Sequence, residues 1–402
     1  MLSVADTLRA VLARVPRLAT QEVSLDEALG RVLAVEIIAA RALPGFDHSA
    51  MDGYAARSAE LPATLPRAGV VAAGEWRGEP VPSSCCVRIF TGAPIPPGLD
   101  TVVIQEDVTL DGERVALPAS NPGDNIRRRG EDVAIGDHVL AAGTRLGPWD
   151  LGVLAALGVS RVTVSRPPRV GLIATGDELV AVAVEPGPGQ LVDSSGHALA
   201  ALVREAGGIA HHLGIARDDP GSLAALIASA LAYDAVITTG GVSVGDRDHV
   251  HAALATAGVT LELWKVAMKP GKPFSFGLGK APAPGAAATP VFGLPGNPVS
   301  TVVAFELFLR PALLAMQGAA VTERPRAPVQ LAGGYRKQAG RAHYLRARVE
   351  RRGEQLIAHP HAKQGSAMLS SLVGCNALVE LPAELTELAP GGTAPAILFE
   401  AV

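Results

Sequence analysis

Apolar positions recur at two different spacings along this chain, and the spacing changes in blocks. Over 4–15 and again over 24–35 they return every three to four residues, the period of a helix with one apolar face. In the second stretch Leu25, Ala28, Leu29, Val32 and Leu33 share that period, Ser24 stands as N-cap and Glu27 at the capping-box position. Two short helices are expected. From 43 to 135 the texture is different. Short β-branched runs (Val70-Val71, Val87-Arg88-Ile89-Phe90, Thr101-Val102-Val103-Ile104) alternate with Pro- and Gly-rich turns, which predicts a small β-rich unit. Helical spacing returns over 150–157.

Next comes a regular alternation. Apolar strand runs are expected over 170–174, 209–215, 235–239 and 291–294, each followed by a helical pattern, at 196–206, 222–231, 248–257 and 299–316. Strands alternating with helices imply a mostly parallel sheet covered on both faces. Ligands on such sheets sit beyond the carboxyl ends of the strands. After Pro325 β texture resumes, over 327–331, 344–349, 355–359 and 377–381, and suggests a small C-terminal barrel or sandwich.

The expected strand ends carry the chemistry. Thr238-Thr239-Gly240-Gly241-Val242-Ser243-Val244-Gly245-Asp246-Arg247-Asp248 follows one strand, and Gly293-Leu294-Pro295-Gly296-Asn297-Pro298-Val299-Ser300 ends another. Glycine allows close approach of backbone to ligand, and the free N–H groups of a helix start attract anions. Between the two lies Lys265-Val266-Ala267-Met268-Lys269-Pro270-Gly271-Lys272-Pro273. A proline-stiffened turn presenting ammonium groups suits a tetrahedral oxyanion. The first glycine run is neither a Walker A loop nor a three-glycine dinucleotide motif. Asp248 reads either as a metal ligand or as an N-cap, and Glu178, in Thr175-Gly176-Asp177-Glu178-Leu179, either as a ligand or as an acidic helix start. Asp52 before Gly53 and Thr91 before Gly92 each read as a turn or as part of a site. The segment 281–289 is expected as a surface loop.

Composition narrows the class. A net charge of -4 over 402 residues argues against a general nucleic-acid binder. Three cysteines, two of them adjacent (Cys85, Cys86, Cys375), form no zinc or disulfide framework and suit a reducing compartment. The most apolar stretch, 223–244, is broken by Asp234 and then by glycines, so no membrane span is expected. The reading is a cytoplasmic protein. The histidine pairs form no metal triad, and no Ser-His-Asp constellation appears.

Taken together, Ser49-Ala50-Met51-Asp52-Gly53-Tyr54, Thr91-Gly92-Ala93-Pro94, Arg127-Arg128-Arg129-Gly130-Glu131-Asp132, Thr175 to Leu179, Gly240 to Asp248, Lys269 to Pro273 and Gly293 to Ser300 resemble the molybdopterin molybdenumtransferase family, which includes MoeA and the E domains of gephyrin and its plant homologues. The strings occur in the family's order and span nearly the whole chain. The resemblance implies an α/β and β multidomain fold. A helical linker domain (1–42 plus 137–167) would hold a β-rich domain (43–136). A molybdopterin-binding α/β domain (168–324) and a C-terminal β-barrel (325–402) would follow. It implies a homodimer whose active site lies between the α/β domain of one subunit and the β-rich domain of the other.

The implied reaction inserts molybdenum from molybdate into adenylylated molybdopterin and releases AMP, with Mg²⁺ assisting. Carried over residue by residue, Asp52, Thr91, Glu178, Asp248, Lys265 and Lys269 take catalytic roles, and Asp52, Glu178 and Asp248 hold the metal. Gly240, Gly241, Ser243, Lys272, Pro273, Gly296, Asn297, Arg341, Arg346 and Ser366 bind substrate. The resemblance also implies the adenylyltransferase of the same pathway as a partner. His48, Arg247 and His249 depart from the family's pattern. Two other readings remain, an adenylyltransferase-like enzyme, for which the α/β domain alone would suffice, and a non-catalytic scaffold.

Overall fold

The computed structural model describes residues 1–75, 78–217, 219–241, 249–280 and 287–400. A six-stranded sheet forms its centre, in the order Ile209–Ala216, Arg169–Thr175, Ala235–Thr239, Pro290–Leu294, Ser275–Gly279, Val259–Trp264. The first four strands are parallel, Ser275–Gly279 pairs antiparallel with the fourth, and Val259–Trp264 pairs antiparallel with Ser275–Gly279. Alternate residues of each strand enter different cores, as the two-residue period of a strand requires. Ile237, Phe292 and Phe276 pack with helix Ser195–Glu205 and the 298–317 helical run. Val236 and Val291 pack with helices Pro220–Ala230 and His249–Thr256. The three layers match the expected alternation. The 298–317 run is 20 residues long and apolar, and 83% of its 18-residue apolar window is buried inside the fold, so its hydrophobicity belongs to the core.

Two strands of this central sheet fall outside the sequence reading. Val259–Trp264 and Ser275–Gly279 form an antiparallel pair, and the lysine turn is the loop between them. That loop contributes Met268–Lys269 as a short strand against Ala342–Arg352 of the C-terminal domain, with Lys269 opposite His343. Ala342–Arg352, Gln355–Pro360, Arg326–Leu331, Thr393–Leu398 and Ala377–Leu381 close into a five-stranded barrel. Closure removes free strand edges and fills the interior with Leu331, Leu345, Val379 and Ala396.

The 43–136 region holds a second six-stranded sheet, in the order Thr101–Ile104, Gly53–Ala56, Cys86–Ile89, Ala63–Val71, Arg114–Leu117, Thr109–Asp111. The linker region is where the sequence reading needs correction. The helix expected over 24–35 is a single 3-10 turn, Leu25–Glu27. One half of the capping box forms, with Ser24 N–H donating to Glu27 Oε2, while the Ser24 hydroxyl donates to the same oxygen and makes no capping bond. The segment cannot continue as a helix, because Thr20–Ser24 pairs with Arg161–Ser165 and Leu33 bridges to Val164. Gly30, at φ +74°, turns the chain between them. Of the apolar residues that looked like a helix stripe, Leu25, Ala28 and Leu33 instead fill a small core with helix Pro148–Ala156, Val32 packs against Leu314, and Leu29 is exposed. Helix Val4–Leu12 forms as expected and packs against the α/β core through Val4, Leu8 and Val11.

Candidate active site

Three loops meet at the carboxyl ends of three neighbouring parallel strands. Thr175-Gly176, Gly240-Gly241 and Pro295-Gly296 each follow one of them. At Gly240 the approach is close enough to require glycine, and at Gly296 the backbones meet at ordinary contact distance. A Cβ on Gly240 would lie 2.5 Å from the Thr175 carbonyl oxygen, and one on Gly296 3.5 Å from Gly240 Cα. Gly240 and Gly241 also have φ of +88° and +65°, a region that side chains disfavour. Thr175 Oγ–H donates to the Thr239 carbonyl at 2.9 Å, and Gly240 N–H to Leu294 O at 3.0 Å. Glu178 stands over this junction, with its Oε2 2.6 Å from the position a Cβ on Gly176 would take. Ser243, Asp246, Arg247 and Asp248 lie outside the described residues.

The 295–297 turn has a second face. Pro295 and Asn297 line a cleft of about 580 Å³ with Lys269, Lys272, Pro273, Arg341 and Ser366. The cleft is formed where Met268–Lys269 joins the barrel, so it lies between the α/β domain and the C-terminal domain. Six of the residues singled out from sequence meet here. Asn297 is the N-cap of helix Pro298–Ala304, yet its side chain makes no capping bond. The cleft is strongly positive. Among the described residues no carboxylate pairs with Lys269, Lys272 or Arg341. His343, behind Lys269, shows the effect. Burial first, and then the fields of Lys269, Lys337 and Arg341, push its pKa down to about 4. Lys265 is not in the cleft lining; it sits at the base of the same loop, at φ +72°, with its N–H donating to Phe274 O.

Arg346 has a different place. It is fully buried behind the cleft, and its guanidinium donates to Ser371 Oγ at 3.0 Å, Lys363 O at 2.9 Å and Gly365 O at 3.2 Å. It thereby fixes the loop that presents Ser366. Three cleft residues escaped the sequence reading, Tyr335, Gln364 and Gly365. Gln364 Nε2 donates to Arg346 O and His361 O, and its Oε1 accepts from Arg346 N–H. A glutamine between a lysine and a glycine carries no local signal of such a role.

Asp52 and Thr91 are partners. They flank adjacent antiparallel strands, and both the N–H and the hydroxyl of Thr91 donate to Asp52 Oδ1 at 2.8 Å. These two bonds, the backbone one first, hold the Asp52 carboxyl below its ordinary pKa, and nearby Arg88 adds to them against a small opposing effect of burial. Arg88 ties the pair down from both sides. It donates to Gly53 O at 3.1 Å, and its guanidinium lies 5.0 Å from the Phe90 ring centre. On the same domain Arg128 pairs with Asp47 and Arg127 with Glu131. Neither Asp52 nor Thr91 is among the residues lining the lysine cleft of the same chain.

The comparisons with known proteins follow this architecture. Residues 2–158 match the family model for the MoeA N-terminal region (domain I and II), 171–315 that for the probable molybdopterin binding domain, and 328–399 that for the MoeA C-terminal region (domain IV). The chain is 38% identical over 382 residues to the molybdopterin molybdenumtransferase of Haemophilus influenzae, covering 93% of this chain and 92% of that protein. The chain belongs to the molybdopterin molybdenumtransferase family. It is also 36% identical to molybdopterin molybdenumtransferase 2 of Mycobacterium tuberculosis H37Rv, over 92% of each chain. In structure it resembles the crystal structure of the molybdopterin biosynthesis MoeA protein of Pyrococcus horikoshii OT3. The TM-score is 0.85 at 30% identity, over 99% of this chain and all of that one. Because the matches include the β-rich and barrel regions, a reading that needs only the α/β domain is not favoured.

Proposed function

We infer that this chain is a cytoplasmic enzyme that inserts molybdenum from molybdate into adenylylated molybdopterin and releases AMP. The observation that carries the reading is the 295–297 turn. Gly296 backs onto the Gly240 turn while Pro295 and Asn297 face the cationic cleft. One turn therefore joins a glycine-lined strand-end junction, suited to phosphates, to a cleft of unpaired cations, suited to a small dianion. Molybdate is a tetrahedral dianion. Lys269, Lys272 and Arg341 supply charge, and the Asn297 amide and Ser366 hydroxyl supply oriented donors. We assign linker, β-rich, α/β and barrel domains to 1–42 plus 137–167, 43–136, 168–324 and 325–402, with helix Val4–Leu12 crossing onto the α/β core.

Phosphoanhydride cleavage sends a pair of electrons to the leaving phosphate oxygen, and Lys265 and Lys269 would stabilise that charge. Among the described residues of one chain no three His, Cys, Asp or Glu side chains gather as a metal site. Mg²⁺ needs less, since it commonly takes one or two carboxylates and completes its shell with water and substrate oxygens. Asp52 fits that demand, because Thr91 occupies only its Oδ1. Asp52, Glu178 and Asp248 would hold the ion, which when bound neutralises phosphate charge. Asp52 belongs to a different domain from the cleft, so we assign the complete site to a homodimer, with Asp52 and Thr91 reaching the α/β domain of the partner.

The test is AMP release from adenylylated molybdopterin by the purified protein, with molybdate present and absent. Release should depend on molybdate, and Lys269→Gln should lower kcat/KM for molybdate by about 100-fold, the usual effect of removing one preorganised charge-stabilising group. No release under either condition would overturn the assignment.

A further inference from the structure

Arg88 lies on strand Cys86–Ile89, directly opposite Tyr54 on the strand that follows Asp52. Its guanidinium carbon is 5.2 Å from the centre of the Tyr54 ring and 5.0 Å from that of Phe90, so two aromatic rings hold the cation. Tyr54 is buried and Phe90 is exposed, and Arg88 between them is half-buried at the margin of the small core. Two bonds fix its rotation. Nη1–H donates to Gly53 O at 3.1 Å, and Nη2–H donates to Gln105 Oε1. Gln105 N–H in turn donates to Asp52 O at 3.0 Å. The carbonyls of Asp52 and Gly53 are therefore both pinned, one by Gln105 and the other by Arg88.

This cation is held firmly but not neutralised. Other arginines of the same domain are closed by carboxylates, Arg127 by Glu131 and Arg128 by Asp47. Among the described residues no carboxylate pairs with Arg88. Asp52 feels its field without forming an ion pair. The remaining guanidinium N–H groups, Nε–H included, have no partner among the described residues. A planar, weakly hydrated fork of free donors suits phosphate oxygens better than any other common anion. Its place suits them too. Asp52 keeps Oδ2 free for a metal ion, and a fixed guanidinium beside a metal-binding carboxylate lets ion and arginine share the oxygens of one phosphate. We propose that Arg88 contacts a phosphate oxygen of the dinucleotide bound by the partner subunit, and so is a further catalytic residue of the shared site. Tyr54, Phe90 and Gln105 position it.

The inference rests on the transferase reading and on its shared site. The experiment follows AMP release by the full-length protein in single turnover, for wild type, Arg88→Met, Asp52→Asn and the double variant. Methionine keeps the apolar stem between the rings and removes the charge and the donors. Each variant is first checked for wild-type thermal unfolding. Arg88→Met should lower kcat/KM for the dinucleotide by about 100-fold, the scale of a lost charge-stabilising donor. The double variant separates contact from support. If Arg88 touches substrate, it should fall a further tenfold or so below Asp52→Asn, the scale of a lost hydrogen bond to a charged group. A double variant equal to Asp52→Asn would show that Arg88 acts only through Asp52, and would overturn the proposal. Subunit mixing tests the route. Arg88→Met should recover activity when mixed with Lys269→Gln, whose intact half of the site complements it, and should recover none with Asp52→Asn, which is damaged in the same half. The reverse pattern would overturn the proposal. Should Arg88→Met unfold, Arg88→Lys, which keeps a charge and loses the planar fork, takes its place in the same cycle. Wild-type release of AMP with an unimpaired Arg88 variant would sink the role of Arg88 alone. No release by the wild type would sink the transferase reading and this inference with it.

Discussion

Asp52 and Thr91 stand 39 positions apart, and nothing in either sequence string says that they touch. Each was legible as a candidate because an acidic or hydroxyl residue precedes a glycine turn. Their partnership is a product of strand pairing, which places Gly53 opposite Ile89 and so brings the residues just beyond each strand together. The pairing has a measurable consequence. Because the N–H and hydroxyl of Thr91 favour the ionised form of Asp52, its carboxyl titrates below the ordinary range. An activity that needs the carboxylate is lost as pH falls through that lowered pKa. Thr91→Val keeps the N–H donor and removes the hydroxyl, so the pKa should rise toward the ordinary value. The acid limb of the kcat/KM profile should then move to higher pH, with the alkaline limb in place. An acid limb that does not move would show that Asp52 is not the group it reports.

Among the elements, the loop between Val259–Trp264 and Ser275–Gly279 matters most. Its sequence announced a rigid cationic turn, but not the hairpin that carries it. The hairpin was missed because Ser275-Phe276-Gly277-Leu278-Gly279 alternates apolar residues with glycine, which reads as a turn until a neighbouring strand pairs with it. Within the loop Gly271 has φ +101°, and a Cβ there would collide with the buried Met268 Cε. Gly271→Ala should therefore cost about 1–3 kcal/mol through backbone strain and a displaced core side chain. Thermal unfolding would read this, and the KM for molybdate should rise as Lys269 and Lys272 lose their setting. Wild-type stability would mean that the loop relaxes freely. The linker teaches the converse lesson. Around Ser24 the local signal did start a 3-10 turn, with Ser24 N–H donating to Glu27, yet pairing with Arg161–Ser165 overrode the longer helix it promised. Local signals report one turn of chain, whereas burial of Val23 and Leu33 against strands far along the sequence sets the element.

At the scale of the whole molecule, the cationic cleft and the Asp52–Thr91 pair belong to different domains, and the assignment of a shared site makes a direct prediction. Asp52→Asn and Lys269→Gln should each retain no more than about a hundredth of wild-type activity alone. Mixed one to one under conditions that exchange subunits, they should recover roughly a quarter of wild-type activity, because half the dimers are mixed and each mixed dimer has one intact site of two. No recovery would place both residues in the site of a single chain. The sequence by itself determined the class of each segment and the chemistry each strand end offers, since hydrophobic period and glycine placement are local properties. It also determined family membership, through motifs in order along nearly the whole chain. Only the tertiary structure decided which of those residues meet. It joined Lys269 and Lys272 to Arg341 and Ser366 through one short strand pairing. It also buried Arg346 as the support of a loop. The reason is physical. Which side chains share a cleft depends on strand pairing and core packing between segments far apart in the chain, and no local pattern records those distances.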